Sequence, residues 1–336
     1  MRAPVGHGGG RDPVDRDIGP VFARLSRPRP ETPTRLFVAA DPHLTPTGSG
    51  TWKVYHRTET RLRTAVDTAR DLGVDAFVVP GDLTRDGRVE EYAAADEILS
   101  ELSVPLVAVP GNHDVPKAWD DYVAPTAAEF GERYGLGPYP FHARVGGLDL
   151  LCLDTASAGG RLTHTHEGEL SAAALDWLRR TLDRVDYPVV VTHHTLFHPR
   201  EHVGPFPDGD FYQVRNARVV REVLADRGDV LALSGHLHLP TTTARDGVRE
   251  IVAPATCSFP PAGLSIEAGP NGTTVRLVPL AGRQGMAEAY VRADAGNAHG
   301  QGIAAYADRG VVSEFPQVDE RTEAVGADVP GALRWR

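Results

Sequence analysis

Cysteine is nearly missing from this chain: Cys152 and Cys257 are its only two in 336 residues. Two thiols cannot build a disulfide framework or a structural zinc site of thiolates. Cys152 lies in an apolar run expected to be a buried strand. Positive charge is also scarce, 35 Lys plus Arg against 45 Asp plus Glu, for a net charge of −10. That balance argues against a long nucleic-acid surface, which needs clustered cations to neutralise phosphates. Only Lys53 and Lys117 are lysines, so the basic charge is almost all arginine, as codon bias in a GC-rich genome would give. No stretch approaches the roughly 20 apolar residues that span a bilayer. The opening MRAPVGHGGGRDPVDRD has no apolar core, so a secretory signal is not expected and a cytoplasmic location is.

What is present is the composition of a soluble globular protein, 41% hydrophobic and 24% charged, long enough for one large domain or two ordinary ones. Residues 1–34 are rich in Gly, Pro, Arg and Asp without periodicity and read as an arm, partly disordered. From Arg35, short apolar runs alternate with helical patterns. The runs are RLFVAA (35–40), DAFVVP (75–80), PLVAVP (105–110), LDLLCLD (148–154), PVVVT (188–192) and DVLALS (229–234). Their near-continuous apolar character suits strands buried on both faces. Leu62, Val66 and Ala69 share one helix face, as do Leu175, Leu178 and Leu182. Further helices are expected over 89–102 and 214–225. Strand–helix–strand repetition implies a layered α/β core with helices outside. After Pro240, Asp246-Gly247 and Asn271-Gly272 mark hairpin turns between β-rich segments that complete the sheets. The expected division is an arm (1–34), a catalytic domain (35–281) and a C-terminal extension (282–336) of one helix and a loose tail.

Five of the apolar runs end alike. RLFVAA is followed by Asp41-Pro-His43, DAFVVP by Gly81-Asp82, and PLVAVP by Gly111-Asn112-His113-Asp114. PVVVT is followed by His193-His194, and DVLALS by Gly235-His236-Leu-His238. Loops at the carboxyl ends of strands in open α/β sheets converge on one edge. Metal-ligand residue types at five such ends therefore point to one shared metal site. Any one of these motifs alone is weak; their order and common position after buried strands carry the reading.

The ordered set Asp-x-His, Gly-Asp, Gly-Asn-His-Asp, His and Gly-His-x-His resembles the calcineurin-like metallophosphoesterases over residues 41–238. Gly-Asn-His-Asp and His193-His194 lean towards the cyclic-nucleotide phosphodiesterase-like branch. The resemblance implies a four-layer α/β/β/α sandwich with two mixed β-sheets. It assigns one divalent metal ion to Asp41, His43, Asp82 and His238, and a second to Asp82, Asn112, His193 and His236, with Asp82 bridging. Oxygen and imidazole donors without thiolate suit manganese, iron, zinc or cobalt. Two dications, less two carboxylates and a bridging hydroxide, keep about one positive charge, enough to attract a phosphate. His113 is the implied general acid for the leaving alcohol oxygen, and Asp114 either orients it or serves a turn. Two departures narrow the family: Arg85 stands where purple acid phosphatases have tyrosine, and GDLTRDG lacks the pattern of protein Ser/Thr phosphatases.

The expected activity is hydrolysis of phosphodiesters, of cyclic-nucleotide or glycerophosphodiester type, by hydroxide attack. The alternatives are a phosphomonoesterase or nucleotide pyrophosphatase on the same scaffold and, from another class, a non-catalytic metal-binding platform, disfavoured because no ligand position is vacant. The implied partner is a small phosphorylated substrate, without nucleic acid or membrane; a homo-oligomer is left open. His194 and His164 are candidates for touching substrate. His198, His202, Asp208 and Asp210 occupy a Pro/Gly-rich loop of the kind that builds substrate walls.

Overall fold

The computed structural model describes residues 18–204 and 210–323. Asp208 and the first 17 residues of the expected arm lie outside them. In chain order the first half comprises β1 (Val21–Leu25), β2 (Thr34–Val38), α1 (Thr58–Leu72), β3 (Ala76–Pro80) and α2 (Val89–Leu99). It continues with β4 (Leu106–Val109), α3 (Ala127–Tyr134), β5 (Phe141–Val145), β6 (Leu148–Cys152) and α4 (Ala172–Leu182). Next come β7 (Pro188–Val191), α5 (Pro199–Val203), α6 (Ala217–Arg227), β8 (Val230–Ser234), β9 (Thr241–Arg245) and β10 (Val248–Val252). The last part holds β11 (Ala262–Gly269), β12 (Gly272–Pro279), α7 (Arg283–Asp294), α8 (Ala298–Asp308), β13 (Val318–Asp319) and α9 (Glu320–Glu323).

The strands form two mixed sheets, in the orders β13-β1-β12-β11-β2-β3-β4 and β5-β6-β7-β8-β10-β9. Strand alternation distributes side chains to separate layers. Leu36 and Val38 of β2 join Leu150, Val191 and Leu233 in the core between the sheets. Phe37, between them in sequence, joins Leu62, Val66 and Ala69 of α1 in the outer layer. On the far side, Val190 and Ala232 meet Leu178 of α4 and Val220 and Leu224 of α6. The result is helix layer, sheet, sheet, helix layer, as expected.

Three features differ from the sequence reading. Val21–Leu25, within the expected arm, pairs antiparallel with β12, so this stretch is a sheet strand. The helix expected from Val214 begins at Ala217, because the Val214 N–H donates to the Thr195 carbonyl and ties that segment down. Among the described residues the C-terminal extension contains, in place of one helix, the helices α7 and α8 followed by β13 and the single-turn α9. Ile303 and Tyr306 of α8 pack with Leu237 and Leu239 of the loop that follows β8. That contact brings the extension to the edge where β2, β3, β4, β7 and β8 all end.

Candidate metal centre

At that edge the seven candidate ligands converge, all of them buried. Asp82 is at the centre. Its Oδ2 lies 3.3 Å from His43 Nε2 and 3.4 Å from His193 Nε2. On the His43 side, His238 Nε2 is 3.3 Å from His43 Nε2 and 3.4 Å from Asp41 Oδ1. On the other side, Asn112 Oδ1 is 3.1 Å from His193 Nε2, and the His236 and His193 rings are 4.6 Å apart. One carboxylate thus stands between two clusters of N and O donors.

The backbone is strained to achieve this. Asp41, His43, Asp82, His236 and His238 all have positive φ, between 43° and 65°. Non-glycine residues enter this left-handed region at a cost of order 1–3 kcal/mol, and it persists where the surrounding structure over-determines it. The loops hold one another there: the His43 N–H donates to the Asp82 carbonyl at 2.8 Å. The His236 N–H reaches the Asp41 carboxylate at 3.0 Å, and His193 Nδ1 contacts the Pro80 carbonyl at 3.0 Å, both bridging the two sheets. Two motif glycines permit the close approach. A Cβ at Gly111 would stand 2.1 Å from Asp82 Oδ1, and one at Gly235 2.5 Å from Asp41 Oδ2.

The electrostatics call for cations. Burial pushes Asp82 up, but His193, His113 and His43 more than offset this and hold it well below the usual carboxylate range. Burial pushes His193 down, and Asp82 beside it reverses the direction, to about 9. Burial raises Asp41 to about 7, with Asp82 adding to it and His193 opposing. Burial keeps His43, His236 and His238 well below the normal imidazole value, with Lys53 adding to it at His43 and His238, hence neutral, the form in which an imidazole ligates a metal. Among the described residues His236 Nε2 and His43 Nδ1 are buried without a hydrogen-bond partner. Such orphaned donors are costly unless something else engages them. Two overlapping groups, Asp41–Asp82–His193 and His43–Asp82–His113, have potential ligand atoms all within 4.8 Å of one another. The donor set therefore fits a pair of hard-to-borderline dications sharing Asp82.

Around the ligands, the structure rearranges the remaining expectations. His113 is half-buried beside the cluster; its backbone N–H donates to Asp82 Oδ1 at 2.9 Å, and its Nδ1 donates to the Arg85 carbonyl at 2.6 Å. Nε2 is left as the nitrogen available to a substrate. Asp114 does not orient His113. Its two oxygens accept from Gly111 N, Leu83 N, Thr84 N and Thr84 Oγ1 at 2.7–3.1 Å, tying the Gly-Asp loop to the Gly-Asn-His-Asp loop. Both ring nitrogens of His194 have partners within the protein: Thr155 Oγ1 donates to its Nδ1 at 2.9 Å, and its Nε2 donates to the His166 carbonyl at 3.0 Å. Of the pair His164 and His166, the exposed His164 has no contact with the ligands, whereas His166 Nδ1 accepts from Asn112 Nδ2 at 2.9 Å. That bond turns the Asn112 oxygen toward His193. His202 is buried against Glu250 at 3.0 Å and His198 pairs with Asp210 at 3.1 Å, so both histidines hold their loop together.

The sequence reading singled out His166 only as the second histidine of His164-Thr-His166 and missed Lys53, Trp52, Tyr212 and His299; all five line the same cavity of about 150 Å³ as Asp82, Asn112 and His113. Trp52 stacks near both His238 and His299, at 5.2 and 4.7 Å. His299 comes from α8, far from any strand-end motif. For Lys53 a signal existed, in being one of two lysines.

Residues 34–240 match the sequence model of a family described as calcineurin-like phosphoesterase. The 3',5'-cyclic adenosine monophosphate phosphodiesterase CpdA of Escherichia coli K12 is 29% identical over 231 residues, 67% of this chain and 74% of that protein. CpdA of Haemophilus influenzae is 28% identical over 188 residues, and the match spans 61% of its length. The glycerophosphodiester phosphodiesterase GpdQ of Enterobacter lignolyticus is 33% identical over 142 residues, 40% of this chain and 44% of that one. Among solved structures, a dimetal phosphatase from Danio rerio has a TM-score of 0.58 at 18% identity, covering 74% of this chain and 96% of its own. At that identity the likeness is one of fold.

Proposed function

The chain belongs to the calcineurin-like phosphoesterase family, and from that membership we propose that it is a dinuclear metal-dependent phosphodiesterase acting on a small substrate. The observation that carries the proposal is the position of Asp82 Oδ2, within 3.4 Å of two imidazole nitrogens that belong to two separate donor clusters. Asp41, His43, Asp82 and His238 would hold one divalent cation, and Asp82, Asn112, His193 and His236 the other. Manganese, iron, zinc or cobalt suit these donors. When bound, the pair supplies the charge that attracts a phosphate and the acidity that readies a water for attack. The relatives named for cyclic AMP or glycerophosphodiester hydrolysis support a diester substrate. A net charge of −10 fits a small substrate better than a nucleic acid. Two free, buried cysteines are compatible with a cytoplasmic setting, which is part of the proposal.

The protein's own residues have definable tasks. Asp82 fixes the spacing of the two clusters. Asn112 contributes an oxygen without charge, oriented by His166. His113 is the proton donor to the leaving alkoxide. Burial pushes its ring down to about 3, so the free ring is neutral, with its proton on Nδ1 against Arg85. A bound phosphodiester anion favours the protonated ring, and the proton that Nε2 would pass to the leaving oxygen is taken up from solvent, since a diester anion carries none. A hydrolysis panel on metal-loaded protein tests the reading, with bis(p-nitrophenyl) phosphate, p-nitrophenyl phosphate and cyclic AMP. Faster turnover of the diesters is expected. Preference for the monoester would overturn the diester assignment, and no turnover with any metal would overturn the enzyme.

A further inference from the structure

Lys53 has a role that the ligand motifs do not include. Its Nζ lies 2.9 Å from His43 Nε2, the nitrogen that also faces Asp82 and His238. Among the described residues no carboxylate is within ion-pairing distance of it. The other lysine, Lys117, is directed to the backbone carbonyls of Ala156 and Leu162. Lys53 is thus an ammonium aimed into the candidate metal site, in a chain that otherwise uses arginine.

Its backbone is anchored. The Val54 N–H donates to the Cys257 carbonyl at 2.9 Å, and Arg292 of α7 donates to the Gly50 carbonyl at 2.8 Å. Trp52 is wedged against Gly296 and Gly300, where any Cβ would collide with the Trp52 side chain. The C-terminal helices therefore hold the base of Lys53 at the cavity, and only its four-carbon arm can move.

A divalent ion that takes the His43 lone pair must displace the ammonium from that nitrogen. The displaced charge then shares a small cavity with dications, an arrangement favoured only when an anion lies between them. We propose that Lys53 is a catalytic residue that binds a non-bridging phosphoryl oxygen of the substrate. In metal-free protein the same ammonium occupies the His43 nitrogen and opposes metal entry. Charge on the non-bridging oxygens grows as the attacking oxygen adds, so the contact strengthens toward the transition state. The proposal rests on the phosphoesterase reading of the site.

Two opposite effects of one substitution test it. In the full-length protein, Lys53→Gln removes the charge and keeps a polar side chain of similar reach. Metal affinity, measured by competition of Zn²⁺ or Mn²⁺ with a chromophoric chelator, should tighten by about 3-fold or more as the repulsive charge goes. Binding of inorganic phosphate to the metal-loaded protein, measured by calorimetry, should weaken about 10-fold or more, with a matching loss of kcat/KM on bis(p-nitrophenyl) phosphate. Lys53→Arg, which keeps the charge, should retain phosphate affinity within about 5-fold. Unchanged phosphate affinity in Lys53→Gln would overturn the proposal. So would parallel loss of metal and phosphate binding, the signature of a merely structural residue. A wild-type protein without hydrolytic activity would overturn the phosphoesterase reading, while the phosphate titration would still decide Lys53.

Discussion

Asp114→Asn is a near-isosteric change with a calculable cost. The Asp114 side chain is fully buried and accepts four hydrogen bonds. An amide can keep only one oxygen. If its NH2 faces Leu83 N and Gly111 N, two backbone donors lose their acceptor and confront another donor. If it faces Thr84, the hydroxyl can rotate to accept, and only the Thr84 N–H is stranded. The second orientation is the cheaper one. Burial, with Asp82 adding to it, pushes the Asp114 carboxyl up to about 7. Above that pH, where it is ionised, losing one hydrogen bond to a charged group costs about 1.5–3 kcal/mol and the remaining bonds lose their charge assistance, so about 2–4 kcal/mol is expected in total. With about 2.1 cal/mol/K of unfolding entropy per residue, 336 residues convert that to a fall in Tm of about 3–6 °C. Urea denaturation of chelator-treated protein would measure it without the linkage that bound metal introduces. A loss below about 0.5 kcal/mol would refute the assignment of Asp114 as the tie between the two loops. Unchanged stability with a rate loss confined to poor leaving groups would instead make it the orienting partner of His113.

Three other outcomes follow from the geometry. His113→Ala should keep both metals and lose about 10²–10⁴ in rate on a poor alcohol leaving group, with much less loss on a nitrophenolate; equal losses on both would contradict the proton-donor role. Gly111→Ala places a Cβ 2.1 Å from Asp82 Oδ1, so metal content measured by elemental analysis should fall below two per chain, and a fully loaded variant would contradict the close packing. Burial pushes Asp149 up, but Arg144 and the Tyr187 N–H more than compensate, leaving its carboxyl below the ordinary 3.8. A folded-state pKa below the unfolded one contributes stability above about pH 4, lost as pH falls through the folded value. The stability gap between wild type and Asp149→Asn should therefore be largest near neutral pH and shrink below about pH 4. A gap constant from pH 7 to pH 3 would contradict it.

The strand ends that carry the seven candidate ligands were readable because each follows a short buried strand, where apolar continuity is an unmistakable pattern and the next polar residue is forced to the sheet edge. Which residues at those ends were singled out, and the two-sheet sandwich, came from the resemblance to the calcineurin-like metallophosphoesterases, whereas four of the outer helices were legible from their own apolar periodicity. Residues brought in by tertiary packing were not. Val21–Leu25 is too short and too close to prolines to display an alternation, and it becomes a strand because β12 offers it an edge. The faces of α7 and α8 that turn inward use small residues such as Ala289, Ala293 and Ala304, which give little hydrophobic contrast. With one helix and a loose tail expected there in place of the α7–α8 pair, neither His299 nor the clamp on Trp52 could be anticipated. His164 and His166 share one motif, and only the path of the loop held by His194 decides which reaches Asn112. Asp114 looked like a partner for its neighbour His113, yet the surrounding backbone N–H groups claim it.

The most direct test of the site is the anomalous scattering of crystals grown with manganese. Two peaks are expected about 3.5–4 Å apart, flanking Asp82, with His43 and His238 on one and His193 and Asn112 on the other. A single peak, or peaks remote from Asp82 with these side chains unengaged, would contradict the dinuclear centre.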